Sequence, residues 1–347
     1  MEERQDIRRL YGIRGFAVLI VVISHYSNET GILGSALGKG AGQFGVMLFF
    51  ILSAFLMSIL YANTPANKQN MINFVVARVA RIVPLYYAIV LISFAAKNSG
   101  ITEIKNVLYD IGDVSALTSH ILFLVGTDGL WSIPPEVHFY LFFMLYWYIQ
   151  SYCKIFSIAL PLVCIAIFSV CQAKDVVVVF FNVLPIKMTL LSAYPYFCAG
   201  LLLGQLYQRF KLPKSMKFHV YVVFLACIPL FYPLIFTRIT GLKHAMWADP
   251  FILFSMSLIF FVQIWLVPDN NLLLENPVSD CISKISFSVY LLHSPVLNVF
   301  KLLGLLGGWA GSLAYFMAVL LASYASYRLL ELSARQYLRS KLLRNLA

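Results

Sequence analysis

Charge is scarce in this chain: only 12% of its 347 residues are Asp, Glu, Lys or Arg, about half the share of a soluble domain. So little polar surface could not cover the core of a soluble protein of this length, which excludes a water-soluble globular enzyme and a disordered chain. Paired cysteines are also lacking. The six Cys (153, 164, 171, 198, 227 and 281) lie in or beside apolar runs, with no CxxC and no Cys/His ligand spacing. A disulfide-stapled module is therefore excluded, and the thiols read as small buried hydrophobes. The apolar runs do not alternate with polar residues, which excludes a porin-like barrel. No internal repeat or low-complexity tract is visible. The first apolar stretch ends in Ser24-His25-Tyr26, without the small-residue pattern of a cleavable signal. What the chain does have is apolar mass: 61% hydrophobic residues and a mean hydropathy of +0.81. It reads as an all-α polytopic membrane protein.

Apolar runs that can cover the roughly 17–25 residues of a membrane crossing occur at ten places. They lie near 10–27, 44–61, 82–96, 137–149, 155–171, 189–207, 218–236, 250–267, 285–300 and 309–330. An eleventh, Leu117–Val125, is too short to span and reads as a re-entrant or interfacial segment. The expectation is about ten transmembrane helices in a single integral-membrane domain, 1–347. Ten crossings put both termini on one side. Eighteen of the 26 Lys and Arg residues fall on that side, and the whole excess of +11 with them. The positive-inside rule makes it the cytoplasm.

Polar residues at membrane depth are costly and mark candidate sites. Only thirteen residues separate Arg14 from Asn28, so a first span must begin near Leu10 and carry Arg14 and His25 with it. Eleven residues apart, they lie within about 20° of one helix face and about 16 Å apart along the axis. The bland alternative is a snorkelling Arg14 and a His25 that hydrogen-bonds a neighbouring helix. Arg78 and Arg81, three apart before Pro84, suit a phosphate or serve as a headgroup anchor. Trp131-Ser132-Ile133-Pro134-Pro135-Glu136 opens the fourth span. There Glu136 either favours the helix dipole or supplies a carboxylate beside His25; His138, about 200° from it around the helix, reads as structural. Tyr290 and His293 share a face inside the ninth span, as a satisfied buried pair or as site residues. The Gly-rich stretch Gly31–Gly45 lacks the Lys-Ser/Thr of a phosphate loop and reads as a flexible external loop.

These clusters, in this order, resemble membrane-bound acyltransferase family 3. Arg14 and His25 match its Arg-x10-His pair. Phe49-Phe50-Ile51-Leu52-Ser53-Ala54-Phe55 matches its FFxxSGF segment, with Ala54 where Gly is usual. Arg78, Arg81 and Pro84 match its RxxRxxP, Trp131, Ser132, Glu136 and Phe139-Tyr140 its WSLxxE-xFY (Ile133 for Leu), and Tyr290, Leu291, His293 and Pro295 its YLxHxP. The resemblance covers essentially the whole chain. Many members append a hydrolase-like domain, and a chain ending at Ala347 would be a stand-alone version.

The resemblance implies an O-acetyltransferase in a membrane, of the bacterial inner-membrane type, that modifies an envelope polysaccharide such as lipopolysaccharide. Its acyl donor is acetyl-CoA (acyl-CoA), with no metal. The coenzyme A phosphates would sit against Arg14, Arg78 and Arg81. His25 would act as general base, or carry the acetyl group itself, with Glu136 orienting it or stabilising its imidazolium. Trp131, Ser132, Tyr140, Tyr290 and His293 would contact substrate. The expected partners are membrane lipids and a glycan or lipid-linked saccharide acceptor; no nucleic acid is expected, and a homo-oligomer stays open. The alternatives are acylation of a small molecule or antibiotic, or a transporter or flippase. The latter usually shows repeats and paired broken helices, which are not visible here.

Overall fold

The computed structural model describes residues 7–173, 189–214, 216–242 and 246–344; Arg4, Lys174, Lys187 and Lys243, assigned to sides above, lie outside them. Among the described residues all regular structure is helical. The principal helices are α1 (Arg9–Thr30), α2 (Gly42–Tyr61), α3 (Lys68–Asn98), α4 (Val114–Ile121), α5 (Ile133–Tyr152), α6 (Phe156–Ala173) and α7 (Thr189–Arg209). They continue with α8 (Phe218–Ala226), α9 (Pro233–Thr240), α10 (Pro250–Phe261), α11 (Pro277–Leu302), α12 (Gly308–Ser326) and α13 (Ser333–Arg344). Helices α10 and α12 each run on into a π-helical turn, Val262–Leu266 and Tyr327–Leu332.

Five helical stretches are long and apolar enough to cross a membrane: 9–30, 42–61, 68–98, 277–302 and 308–338. Residues 220–231 and 233–240 add a sixth if they are one broken span, since they bend by 85°. The expected ten is not reached on this measure among the described residues. Three of the five differences are local: Pro233 opens a new helix after an extended Tyr232 (φ −63°, ψ 137°), and residues 156–169 and 250–266 form shorter apolar helices. The expected short element near 117–125 is helix α4 and the turn after it.

The remaining boundaries follow from sequence. Helix α1 stops at Gly31, whose left-handed backbone (φ 68°) lets its N–H reach the Ser27 carbonyl at 3.0 Å. Asn67 caps α3 by accepting from the Asn70 N–H at 2.9 Å. Helix α3 then runs for 31 residues, about 46 Å, well beyond the ~30 Å of hydrocarbon it could span. Its surplus N-terminal turns carry Arg78 and Arg81. Pro134 and Pro135 sit in the first turn of α5, where a missing N–H breaks no helical bond.

The chain divides into two compact units. Unit 1 is Met1–Thr64 with Leu141–Ser283, and unit 2 is Pro65–Tyr140 with Lys284–Ala347. In unit 1, α2 packs between α1 and α7. A side chain at Gly200 would place its Cβ 2.2 Å from the Ile51 carbonyl oxygen and 2.8 Å from the Ala54 Cβ. The small residue needed for close helix approach thus stands on α7, and Ala54 is accommodated opposite it. Polar cross-links add to this: Ser58 Oγ of α2 donates to the Leu201 carbonyl of α7 (3.2 Å), and Gln150 Nε2 of α5 to the Ala62 carbonyl just after α2 (2.7 Å). Leu141, Leu145, Leu162, Ile167, Phe251 and Phe254 face outward, the apolar surface a lipid-facing helix presents.

In unit 2, α4 is docked onto α3 by two phenols. Tyr86 donates to the His120 carbonyl (3.3 Å) and Tyr87 to the Ile121 carbonyl (2.8 Å), and Phe123 stacks on both rings. His120 is buried; its Nδ1 lies 2.7 Å from the Ala116 carbonyl, and its Nε2 accepts from the Thr127 N–H (3.2 Å). Those two bonds require the neutral Nδ1–H tautomer. Asn298 of α11 donates to the Val107 carbonyl at 3.1 Å, and Tyr109 to the Leu291 carbonyl at 2.9 Å. Leu91, Ile92, Leu313 and Leu321 form this unit's outward apolar surface.

Candidate active site

Unit 1 contributes Arg14 and His25, both half-buried on α1. What fixes α1 is a residue the sequence did not single out. Arg9 is 1% exposed. Its guanidinium donates to Glu275 Oε1 (3.1 Å), to the carbonyls of Gln263 (3.4 Å) and Ile264 (3.2 Å), and to Asp269. Those carbonyls belong to the π-helical turn after α10, where a helix end leaves acceptors over. Asp269 also accepts from Lys214 at 2.7 Å. That hydrogen bond first, then the Arg9 charge, holds the Asp269 carboxyl below its ordinary value, against the opposing effect of burial. Arg8 pairs with Asp280 at 2.8 Å. A side chain at Gly12 would place its Cβ 2.3 Å from the Leu274 carbonyl oxygen, so α1 touches backbone here. The start of α1 is thereby locked to residues 263–280, which sets where Arg14 and His25 come along the helix.

Unit 2 contributes the other expected residues. Tyr140 donates to Glu136 Oε1 at 2.6 Å, one turn apart on α5. The Arg78 guanidinium sits over the faces of Phe74 (5.3 Å) and Tyr140 (5.5 Å), two rings that meet edge to face. Glu136, Tyr140, Phe74 and Arg78 therefore form one cluster, and Arg81 follows Arg78 three residues along α3. Ser132 and Tyr290 share a hydrogen bond of 2.6 Å between their hydroxyls, which joins the start of α5 to α11; Trp131 is half-buried in the turn just before. His293 is fully buried, with Nδ1 2.7 Å from the Tyr290 carbonyl, and its own carbonyl accepts from Tyr315. Tyr290 thus bridges two helices, while the Nδ1 bond of His293 stays within its own.

Glu331 is the second residue the sequence reading passed over. It is 1% exposed in the π-helical turn that ends the last span, accepts from Ser288 Oγ, and pairs with Arg335 at 3.0 Å. One signal was available: it is the sole acid in the chain after Asp280, beside an apolar run, and acids at such depth are rare. Arg9 offered no comparable signal, because its partners lie more than 250 residues away.

Among the described residues, no group of three or more His, Cys, Asp or Glu is placed to hold a metal ion. Chemically, unit 1 offers a half-buried imidazole and a guanidinium on one helix. Unit 2 offers two guanidiniums beside a carboxylate–phenol pair. No curated protein and no solved structure matches the chain significantly. The model of acyltransferase family 3, described as an acyltransferase domain, matches residues 7–328. That match takes in every candidate residue named above except Glu331 and Arg335. The chain belongs to acyltransferase family 3, and it is a membrane acyltransferase.

Proposed function

We propose that the protein is an O-acetyltransferase that takes an acetyl group from cytoplasmic acetyl-CoA and gives it to a hydroxyl of a cell-envelope glycan or its lipid-linked precursor. The observation that carries this reading is α1 in a chain of this family. A single helix places a guanidinium, Arg14, and an imidazole, His25, eleven residues apart, about 16 Å along its axis. That separation suits a donor held at one membrane face by its phosphates and reacting deeper in, through its thin thioester-bearing arm. The charge bias of the sequence makes the Arg14 end cytoplasmic, with both termini on that side of the bacterial inner membrane.

Arg14, Arg78 and Arg81 suit the phosphates of coenzyme A, because guanidiniums grip phosphate oxygens in pairs. His25 takes the proton of the acceptor hydroxyl as the oxygen attacks the thioester carbonyl, then returns it to the departing thiolate. The new C–O ester bond replaces the C–S bond. General-base help of this kind is worth about 10²–10⁴-fold. Glu136 is given the part a carboxylate plays in a triad, and its hydrogen bond from Tyr140 steadies it. Trp131, Ser132, Tyr140, Tyr290 and His293 line the path of the substrates.

The test is mass spectrometry of envelope glycans from cells with the protein, without it, and with His25→Ala. The expected result is the mass of one acetyl group on a glycan, present only with the intact protein, while the variant is still inserted in the membrane. Full acetylation by His25→Ala would remove the histidine from the chemistry.

A further inference from the structure

The external loop between α1 and α2 is not loose. The Lys39 N–H donates to Asn28 Oδ1 at 2.6 Å, and the Gly42 N–H donates to Ser24 Oγ at 2.8 Å. The loop is therefore folded onto the end of α1 that carries His25. A side chain at Gly40 would come within 3.1 Å of the Met246 Cε, so the loop also meets the short helical turn Met246–Ala248. Around that meeting point unit 1 gathers an unusual set of groups. Trp247 stands edge to face with Tyr196 (ring centroids 5.0 Å apart) and tilts against Phe50 (5.9 Å), which itself stacks on Phe197 (4.3 Å). The Trp247 indole N–H donates to Gln43 Oε1. The Tyr196 side chain is fully buried, yet its hydroxyl finds no partner among the described residues. Asp249, two residues along from Trp247, caps α10 by accepting from the Phe251 N–H at 2.9 Å.

An aromatic cluster made only for packing needs no amide, carboxylate or phenol. A buried hydroxyl left unpaired costs stability, and buried polar groups are nearly always satisfied. Here the aromatic surface is edged by three polar groups of neutral or acceptor character: the Gln43 amide, the Tyr196 phenol and the Asp249 carboxylate. A pyranose is complementary to such a set. Its C–H face lies on an aromatic ring, and its hydroxyls both donate to a carboxylate and accept from a phenol or amide. A hydrocarbon chain would leave those polar groups unused. A phosphate would meet the negative charge of Asp249.

We infer that Gln43, Tyr196, Trp247 and Asp249 form a pyranose-binding subsite at the His25 end of unit 1. This rests on the acetyl-transfer reading, whose acceptor is already a glycan, and adds the place on unit 1 that holds one of its rings. It explains why residues 31–45, which match no phosphate loop, fold back against α1: they seat Gln43 close to the turn that bears Ser24 and His25. The subsite is additional to Trp131 and Tyr140, which belong to the other unit.

The test is saturation-transfer NMR on the full-length protein in lipid nanodiscs. The probes are the methyl glycosides of glucose, galactose, mannose and N-acetylglucosamine, with choline as control. At least one glycoside should show ring-proton saturation, and choline none. Tyr196→Phe keeps the ring and removes only the hydroxyl, so it leaves packing intact; it should weaken the signal about threefold. Trp247→Ala should weaken it about tenfold. No glycoside signal, a signal unchanged in Tyr196→Phe, or preference for choline would each overturn the subsite. Coenzyme A binding, followed by calorimetry on the same samples, separates the two ideas. Retained coenzyme A binding without glycoside binding rejects the sugar subsite and leaves the acetyl-transfer reading standing. Glycoside binding without any coenzyme A binding supports the subsite and rejects that reading.

Discussion

Two arginines, Arg9 in unit 1 and Arg78 in unit 2, are held in opposite ways. Arg9 is enclosed by carboxylates and by backbone carbonyls, so its charge is neutralised where it lies. Arg78 rests on the faces of Phe74 and Tyr140. Ring faces orient a guanidinium by their quadrupole without cancelling its charge. Burial and charge alone would make Arg9 look the more functional of the two. The partners differ in kind: acids and backbone carbonyls around Arg9 tie helix α1 to the rest of its unit, whereas Arg78 lies over two rings, one of which donates to Glu136, and the proposed function gives it the phosphates of coenzyme A.

Three changes would break or sharpen this contrast. The largest effect is expected from Arg9→Ala, which leaves the buried Glu275 without its cation. Loss of one partner of a buried pair costs about 3–5 kcal/mol, so thermal unfolding in detergent should move down by many degrees, and activity should fall with the amount of folded protein. A stable Arg9→Ala protein with a specific loss of donor binding would reverse the assignments of the two arginines. Next comes Arg78→Ala with Arg81→Ala. Here the melting temperature should change little, while the KM for acetyl-CoA rises about ten- to hundredfold and the acceptor KM stays put. Unchanged KM values would make these arginines membrane anchors.

The smallest effect concerns pH. The Asp269 carboxyl is depressed in the folded protein, chiefly by Lys214. Its contribution is therefore fully present above the unfolded carboxylate value of about 3.9 and is lost as pH falls through the lower, folded value. Asp269→Asn should flatten the loss of stability in that acid range and lower stability slightly at pH 7. A thermal-shift series from pH 3 to 7 reads both. Because Asp269 is well exposed, solvent screening keeps the effect small.

Sequence patterns disclosed the membrane class and a first helix, expected near 10–27 and found at Arg9–Thr30, that carries both Arg14 and His25, because those depend on local hydropathy alone. The Glu136–Tyr140 bond was within reach as well, being one helical turn. Hydropathy reports how apolar a run is and says nothing of its continuity, so the break at Tyr232–Pro233 and the shortness of the 250–266 helix were not legible in it. Arg9 could not be told from Arg14 or Arg8 either, since what distinguishes it is a set of acceptors between Gln263 and Glu275. How Ala54 is accommodated depends on Gly200 opposite it on α7, a tertiary contact with no local signal. Gly31–Gly45 read as loose because its anchors, Ser24 and Asn28 on one side and Met246 on the other, are tertiary contacts.

The central claim is that donor binding and acetyl transfer rest on different residues: the arginines hold coenzyme A, and His25 carries out the chemistry. Purified protein in proteoliposomes, supplied with radiolabelled acetyl-CoA and isolated envelope glycan, tests this directly when transfer and coenzyme A affinity are both measured for His25→Ala. The expected result is coenzyme A bound as tightly as by the unaltered protein, with label transfer reduced by about 10²-fold or more. Transfer at the unaltered rate, or coenzyme A binding lost together with transfer, would contradict it.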